Sequence, residues 1–352
     1  MDRYIGIDVH SKSCTVTVMS ASGQRLKEQV IETNAKLLIE TIRSTAGTRH
    51  VCFEEGNLSS WIYELLEPHV DELVVIQPEK RQRGSKSDAI DAWSLADNLR
   101  TGKLGTRVFK RPRRFEGLRQ AVRAHQIAVK DMTRAKNRLN ALYRSRGISG
   151  AGEAIYDPEK RATLLRKLPS SYRALAEMLS RQLDALIDAR ERAEKWLRKE
   201  AEPLAEVERL MTVDGLGLIR AAQVVAVVIV PDRFRTKRQF WSYSGLGVVS
   251  RSSSDWEKDS STGRWQRRLV AQTRGLNRNR SPMLKNVFKG AADTVIAMRT
   301  HPLSMDYIRM LDAGTKPNLA ALTIARRIAA AVLAIWKHKE VYAREKHRPT
   351  VA

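Results

Sequence analysis

"RYIGIDVHSKSCTVTVMSASGQRL" (residues 3–26) decides the fold. "RYIGIDV" and "CTVTVMS" are short apolar runs of strand length, and "SASGQRL" before the next apolar run is a hairpin turn signal. Working outward, "HVCFEE" (50–55) and "ELVVIQP" (72–78) read as two further buried strands. The helical patterns "AKLLIETIRSTAG" and "LSSWIYELLEPHV" flank "HVCFEE".

A hairpin followed by alternating helix and strand is the order of a ribonuclease-H-like mixed sheet, although other α/β folds share it. The expected organisation has three parts. Residues 1–108 form the α/β domain, 109–204 a long-helix region, and 205–352 a mostly helical C-terminal domain. In the central part, Leu118, Val122, His125, Val129, Met132, Lys136, Leu139 and Tyr143 alternate spacings of four and three. Leu175, Leu179, Leu183, Leu186, Ala193 and Leu197 repeat that rhythm in a second run. Two such helices predict an antiparallel or intermolecular coiled coil, with an ordinary helical bundle as the alternative.

The C-terminal part opens with "MTVDGLGLIRAAQVVAVV" (211–228), a Gly-x-Gly turn between helices of the kind helix-hairpin-helix elements use. Backbone N–H groups at such a turn can hold a phosphate. The following stretch, "RQFWSYSGLGVVSRSSSDWEKDSSTGRWQRR" (238–268), is rich in Ser, Arg and Trp and poor in periodicity. A helix with a basic tail, "IARRIAAAVLAIWKHKEVYAREKHRPT", closes the chain.

Charge bounds the partners. Lys and Arg number 63 against 39 Asp and Glu among 352 residues, a net charge of +24. Such a charge repels itself in a compact state unless a polyanion is present, so nucleic acid is the expected partner. No amphipathic Lys/Trp anchor argues for a membrane surface. The apolar run "AAQVVAVVIVP" (221–231) is too short to span a bilayer. Cys14 and Cys52 are the only cysteines, too few for a disulfide framework or a zinc set, and a reducing cytoplasm is expected.

The acids carry the chemistry. Asp8 ends an apolar strand, where a carboxylate is costly unless it meets a cation or hydrogen-bond donors. Glu54 ends a second strand, with Glu55 its competitor because strand alternation puts only one of them on a given face. Asp88 and Asp91 lie three apart at the start of a helix, about 5–6 Å from each other on one face. Each has a structural reading as well: Asp88 as an N-cap, Asp91 as a complement to the helix dipole. Together the four suit a cage for two Mg²⁺ ions roughly 3.5–4 Å apart, the arrangement used in phosphodiester chemistry. Hard oxygen ligands favour Mg²⁺ over zinc.

"YIGIDVHSKS", "HVCFEEGN", "SKSDAIDAWSLA", "VDGLGLIRAAQVVA" and "FWSYSGLGVVSRSSS" occur in the order found in DEDD-type insertion-sequence transposases. Over nearly its whole length the chain resembles that family, the insertion-sequence-110 or bridge-RNA-guided DNA recombinases. The resemblance implies a Holliday-junction-resolvase-like domain with Asp8, Glu54, Asp88 and Asp91 as its metal-binding quartet. It also implies a serine nucleophile in the C-terminal domain. An ungapped count from "SGLG" places that serine at Ser253, with Ser252 and Ser254 as alternatives because "GVVSR" departs from the usual Pro-Arg. Further implications are double-stranded donor and target DNA, a structured noncoding guide RNA, a dimer or tetramer, and a cytoplasmic, nucleoid-associated setting in a prokaryote. Arg81, Arg83, Lys86, Arg251, Arg264, Arg267 and Arg268 are candidate nucleic-acid contacts, with Trp256 and Trp265 as base-stacking candidates. The competing function is a metal-dependent Holliday-junction-type nuclease in which water attacks. A catalytically decayed nucleic-acid scaffold is a third reading, and the complete acid quartet argues against it. An actin-like ATPase would need Gly/Thr-rich phosphate loops near Asp8, and "DVHSKS" does not provide them.

Overall fold

The computed structural model describes residues 1–78, 87–110, 114–149, 152, 154–250, 256–267 and 273–344. The chain divides into two compact units, Met1–Arg114 and Phe115–Ala352.

The first unit is built on a mixed five-stranded sheet: β1 (Asp2–Val9), β2 (Ser13–Ser20), β3 (Arg25–Glu32), β4 (Thr48–Glu54) and β5 (Glu72–Ile76). The spatial order is β3-β2-β1-β4-β5. The first three strands are antiparallel neighbours, while β1, β4 and β5 run parallel. The edge strand β3 is mostly exposed and carries Arg25, Lys27, Glu28 and Glu32, charges that discourage pairing with another chain. Three helices complete the unit: α1 (Ala35–Arg43), α2 (Ser59–Leu66) and α3 (Asp88–Arg100). Side-chain alternation sorts the two sheet faces. Ile5, Ile7, Val51, Phe53 and Val75 pack with Leu38 and Ile42 of α1 and Ile62 and Leu66 of α2. Cys52, Val74 and Ile76, on the opposite face, pack with Leu95 and Leu99 of α3. The mixed sheet followed by many helices is consistent with the expected ribonuclease-H-like architecture.

Gly6 sets the distance between α3 and the sheet. A Cβ there would lie 1.9 Å from the Ala92 carbonyl oxygen and 2.7 Å from the Ala96 nitrogen. Any side chain at this position would push the helix off β1.

In the second unit, α4 (Glu116–Arg144) and α6 (Ser170–Ala201) form an antiparallel pair, bridged by α5 (Pro158–Arg166). Gly117 near the start of α4 adjoins Glu200 near the end of α6, and Leu139 and Tyr143 share a buried cluster with Ala176 and Leu179. Leu118, Val122, His125, Leu139 and Tyr143 are buried as their spacing predicts. Leu175 departs from the pattern: it is exposed, and Ala176 takes the inward position. A helix of 3.6 residues per turn drifts against a strict four-three alternation, so the end of such a stripe rolls outward.

The helix pair is buried in two places: its far end, with Leu139, Leu164, Ala176 and Leu183, has a cluster of its own, and its near end shares one with the C-terminal helices. Leu118, Ala121 and Val122 of α4 and Leu197 and Ala201 of α6 belong to one buried cluster with residues of α7 (Ala205–Met211), α8 (Leu218–Val228) and helices further along. Long amphipathic helices bury their apolar stripe against the nearest apolar surface, and at this end of the pair that surface lies beyond residue 204.

The Gly-x-Gly turn joins α7 to α8 as the sequence suggests. Gly215 has φ +83° and sits so close to the next layer that a Cβ would lie 2.6 Å from the Ala291 carbonyl oxygen. Arg220 clamps the turn by donating to the Gly215 carbonyl at 2.7 Å and the Thr294 hydroxyl at 3.0 Å. After α9 (Lys237–Tyr243), the aperiodic stretch contains strands that its composition conceals. Strand β6 (Val248–Ser250) pairs with β9 (Thr273–Leu276), and β7 (Trp256–Lys258) pairs with β8 (Trp265–Arg267). Strands of three or four residues are too short to register as alternation. Helices α10 (Pro282–Ala297), α11 (Pro302–Asp312) and α12 (Pro317–His338) finish the unit. Among the described residues α12, not the 221–231 run, is long and apolar enough to cross a membrane. Its Ile324, Ile328, Val332 and Trp336 are buried in the same cluster as α8 and α10, the ordinary use of such a helix in a folded core.

Candidate active site

The close approach at Gly6 positions the acids. Gly6 and Asp8 project to the same face of β1, two residues apart. Helix α3 crosses that face with Ala92 over Gly6, so its first turn, containing Asp88 and Asp91, comes up beside Asp8. Ser87 is the N-cap, its hydroxyl accepting from the Ile90 N–H at 3.3 Å. Asp88 is therefore released from a capping role, and both aspartates occupy the first turn, where the helix dipole favours negative charge.

Asp8, Asp88 and His10 each offer a ligand atom within 4.8 Å of the others. His10 Nε2 lies 3.2 Å from Asp8 Oδ2 and 3.4 Å from Asp88 Oδ1. Burial pushes the Asp8 carboxyl above its ordinary value; the His10 imidazole draws it down, and the charges of Asp91 and Asp88 push it up again. Asp8 thus sits in a partly dry place facing like charges, which a bound cation would relieve. The donor set is carboxylate oxygen with one imidazole, and it fits a hard divalent ion.

Glu54 ends β4 in parallel register with β1, where Gly6 lies opposite Cys52. Glu54 therefore shares the face of Cys52 and Asp8. Glu55, one residue past the end of the strand, is engaged: Lys110 Nζ lies 2.7 Å from its Oε2 and also donates to the Ser59 hydroxyl at 3.1 Å. A cavity of about 520 Å³ opens at this end of the sheet, lined by Asp8, His10, Glu54, Glu55, Asn57 and Asp91 among others. Sequence reasoning singled out the acids and missed His10. His10 sits just past the end of β1, and a lone histidine there carries no pattern that would have found it.

The remaining candidates divide between described and undescribed residues. Arg81, Arg83, Lys86, Arg251, Ser252, Ser253, Ser254 and Arg268 lie outside the described residues. Arg264 is exposed in the turn between β7 and β8, and Arg267 pairs through its backbone with Trp256. Trp265 pairs with Lys258, two residues from Trp256, so both tryptophans project from one face of the hairpin. Both are well exposed, at 55% and 67%.

Residues 5–145 match a family model of DEDD insertion-sequence-110 type, described as a transposase. Residues 207–276 match a second, described as the transposase IS116/IS110/IS902 family. A curated relative from Pseudomonas aeruginosa, a probable family 20 transposase, is 29% identical over 217 residues. That similarity covers 56% of this chain and 60% of the relative's length. Two separate stretches of one chain, in order, the first running through α4 and the second beginning in α7, thus match models of a single transposase family: the chain belongs to the insertion-sequence-110 family of DEDD transposases.

Proposed function

We propose that this protein is a transposase that cuts and rejoins DNA strands at an insertion sequence, with Asp8, Glu54, Asp88 and Asp91 holding Mg²⁺ and Ser253 attacking the phosphodiester. The observation that carries the reading is the convergence of Asp8, His10 and Asp88 beside a cavity that Glu54 and Asp91 also line. Glu54 is preferred to Glu55 on strand parity and because Glu55 is already neutralised by Lys110.

Bound Mg²⁺ would supply Lewis-acid stabilisation of charge building on the phosphodiester oxygens. The chain's own residues do the rest. Asp8 and Asp88 set the donor positions, and His10 bridges the two carboxylates and orients them. The Ser253 oxygen forms a bond to phosphorus as the bond to the departing sugar oxygen breaks, and the hydroxyl proton passes to a base. The phosphoserine keeps the energy of the broken bond, so a second strand's hydroxyl can reverse the step without another co-reactant. The net charge of +24 suits the simultaneous binding of donor DNA, target DNA and a structured guide RNA, on a dimer or tetramer in the cytoplasm.

The test compares Ser253→Ala with Asp88→Ala on DNA carrying the element's ends. A detergent-resistant protein–DNA adduct is expected from the unmodified protein and from neither variant, with activity down on the order of a hundredfold or more for Asp88→Ala. Strand cleavage that survives Ser253→Ala but not Asp88→Ala would instead establish water as the nucleophile. One dominant structured RNA copurifying with the protein is expected; bulk cellular RNA in its place would remove the guide from the proposal.

A further inference from the structure

A second cavity, of about 340 Å³, lies in the second unit and is lined by Arg238, Trp241, Ser242, Gly247, Val248 and Arg326. Among the described residues, two guanidinium groups line it and no carboxylate does. Arg326 is held in place: its Nε donates to the Leu246 carbonyl at 2.8 Å, and its guanidinium stacks 6.0 Å from the Trp241 ring centroid. Trp241 reciprocates by donating its indole N–H to the Arg326 carbonyl at 2.9 Å. Among the described residues, the terminal nitrogens of Arg326 have no hydrogen-bond partner. Burial lowers the proton affinity of Arg326 from its ordinary value, although a guanidinium remains charged throughout the working range. The Ser242 hydroxyl accepts from Asn277 Nδ2 at 2.9 Å, which leaves its own proton available as a donor. Lys237, 5.7 Å from the Trp241 centroid, adds a further positive charge nearby.

A half-buried, preorganised guanidinium fork with an unused hydroxyl and no counter-charge among the described residues is built for a tetrahedral oxyanion. Trp241 is engaged by Arg326 and Lys237, so the site offers charge and not a stacking platform for a base. Val248 belongs to β6, and the chain runs from the end of that strand directly into Arg251 and Ser253. We infer that this cavity binds a backbone phosphate of the DNA strand presented to the 251–255 segment. The site is a positioning site: it anchors the strand near the attacked bond without touching that bond. The choice of DNA over RNA rests on the proposed role of Ser253, whereas the phosphate site itself does not.

The experiment measures binding of a fluorescein-labelled DNA duplex to the full-length protein over a range of salt concentrations. The variants are Arg238→Ala, Arg238→Ala combined with Arg326→Ala, and Val248→Glu. Val248 is exposed, so the introduced carboxylate reaches the cavity without disturbing the core. The double variant and Val248→Glu are each expected to bind about tenfold more weakly, and the slope of log affinity against log salt should flatten by about 1, one phosphate contact. Arg326→Lys keeps the charge, loses the fork, and should fall between. Unchanged affinity and slope in Val248→Glu and in a double variant that melts like the parent would overturn the site. A loss confined to an RNA probe of equal length would overturn the assignment to DNA. Absence of a covalent adduct in the parent protein would remove the serine chemistry and leave the binding result standing, so the two failures are distinguishable.

Discussion

Asp8, near the end of β1, and Asp214, in a turn, are both aspartates beside an apolar stretch, and they are treated in opposite ways. Asp214, in the "VDGLG" turn, is surrounded by donors. Arg344 reaches it with Nε at 2.7 Å and Nη2 at 2.5 Å, and the buried His301 lies 3.1 Å away through Nε2. His301 Nδ1 accepts from the Leu303 N–H at 3.1 Å, so Nε2 carries the proton and donates it to Asp214. Arg344 above all, and then His301, hold the Asp214 carboxyl below the usual range against the opposing effect of burial. Asp8 is pushed the other way by burial and by Asp91 and Asp88. A carboxylate that serves the fold comes with its cations in place. One that faces other carboxylates meets opposing charge instead, and the difference separates Asp214, satisfied by the fold, from Asp8, the proposed metal ligand.

The largest way to break this contrast is at Gly6. In Gly6→Ala the new methyl meets backbone atoms of α3, so destabilisation of about 3 kcal/mol is expected in urea unfolding. Isothermal titration should show weakened Mg²⁺ binding as well, because the helix carrying Asp88 and Asp91 is displaced. Unchanged stability would mean that α3 is not seated on β1 as described.

Asp214→Ala comes next. It removes the acceptor shared by Arg344 and His301 and should cost about 2 kcal/mol. Because Asp214 has a depressed pKa in the fold, its contribution is present above the unfolded value of 3.8 and lost as pH falls through the lower folded value. The difference between parent and variant, measured by denaturant unfolding across pH, should therefore be full at pH 7 and shrink on acidification.

Asp8→Asn gives the smallest effect and the opposite sign. With a folded pKa above 3.8, ionised Asp8 weakens the metal-free fold at neutral pH, and that penalty disappears below 3.8. Replacing it should raise the melting temperature of the metal-free protein slightly at pH 7, with the gain vanishing in acid. A fall in melting temperature would place Asp8 in the same structural class as Asp214.

Much of this was legible in the chain itself. Apolar runs of strand length marked β1, β2, β4 and β5, and the four-three spacing marked α4 and α6, because burial on one face leaves a local periodic trace. Asp8 and Glu54 stood out as acids at strand ends. The Glu54/Glu55 ambiguity was local too, yet it needed the pairing of β1 with the distant β4 to be read as a face. His10 was hidden because a lone histidine carries no pattern, and the short strands β6 to β9 because three or four residues do not make one.

The sequence by itself marked Asp8, Asp88, Asp91 and the Glu54/Glu55 pair as candidate acids, four of the five strands of the first unit, and the strong positive charge that calls for a polyanion. These follow from composition and short-range period. Only the tertiary structure decided that α3 lies against Gly6, that His10 joins Asp8 and Asp88, and that α4 and α6 share a core with the helices beyond residue 204. It also decided that Arg326 folds back over Trp241, 85 positions earlier. Those contacts depend on register and packing between distant segments, and no local period records them.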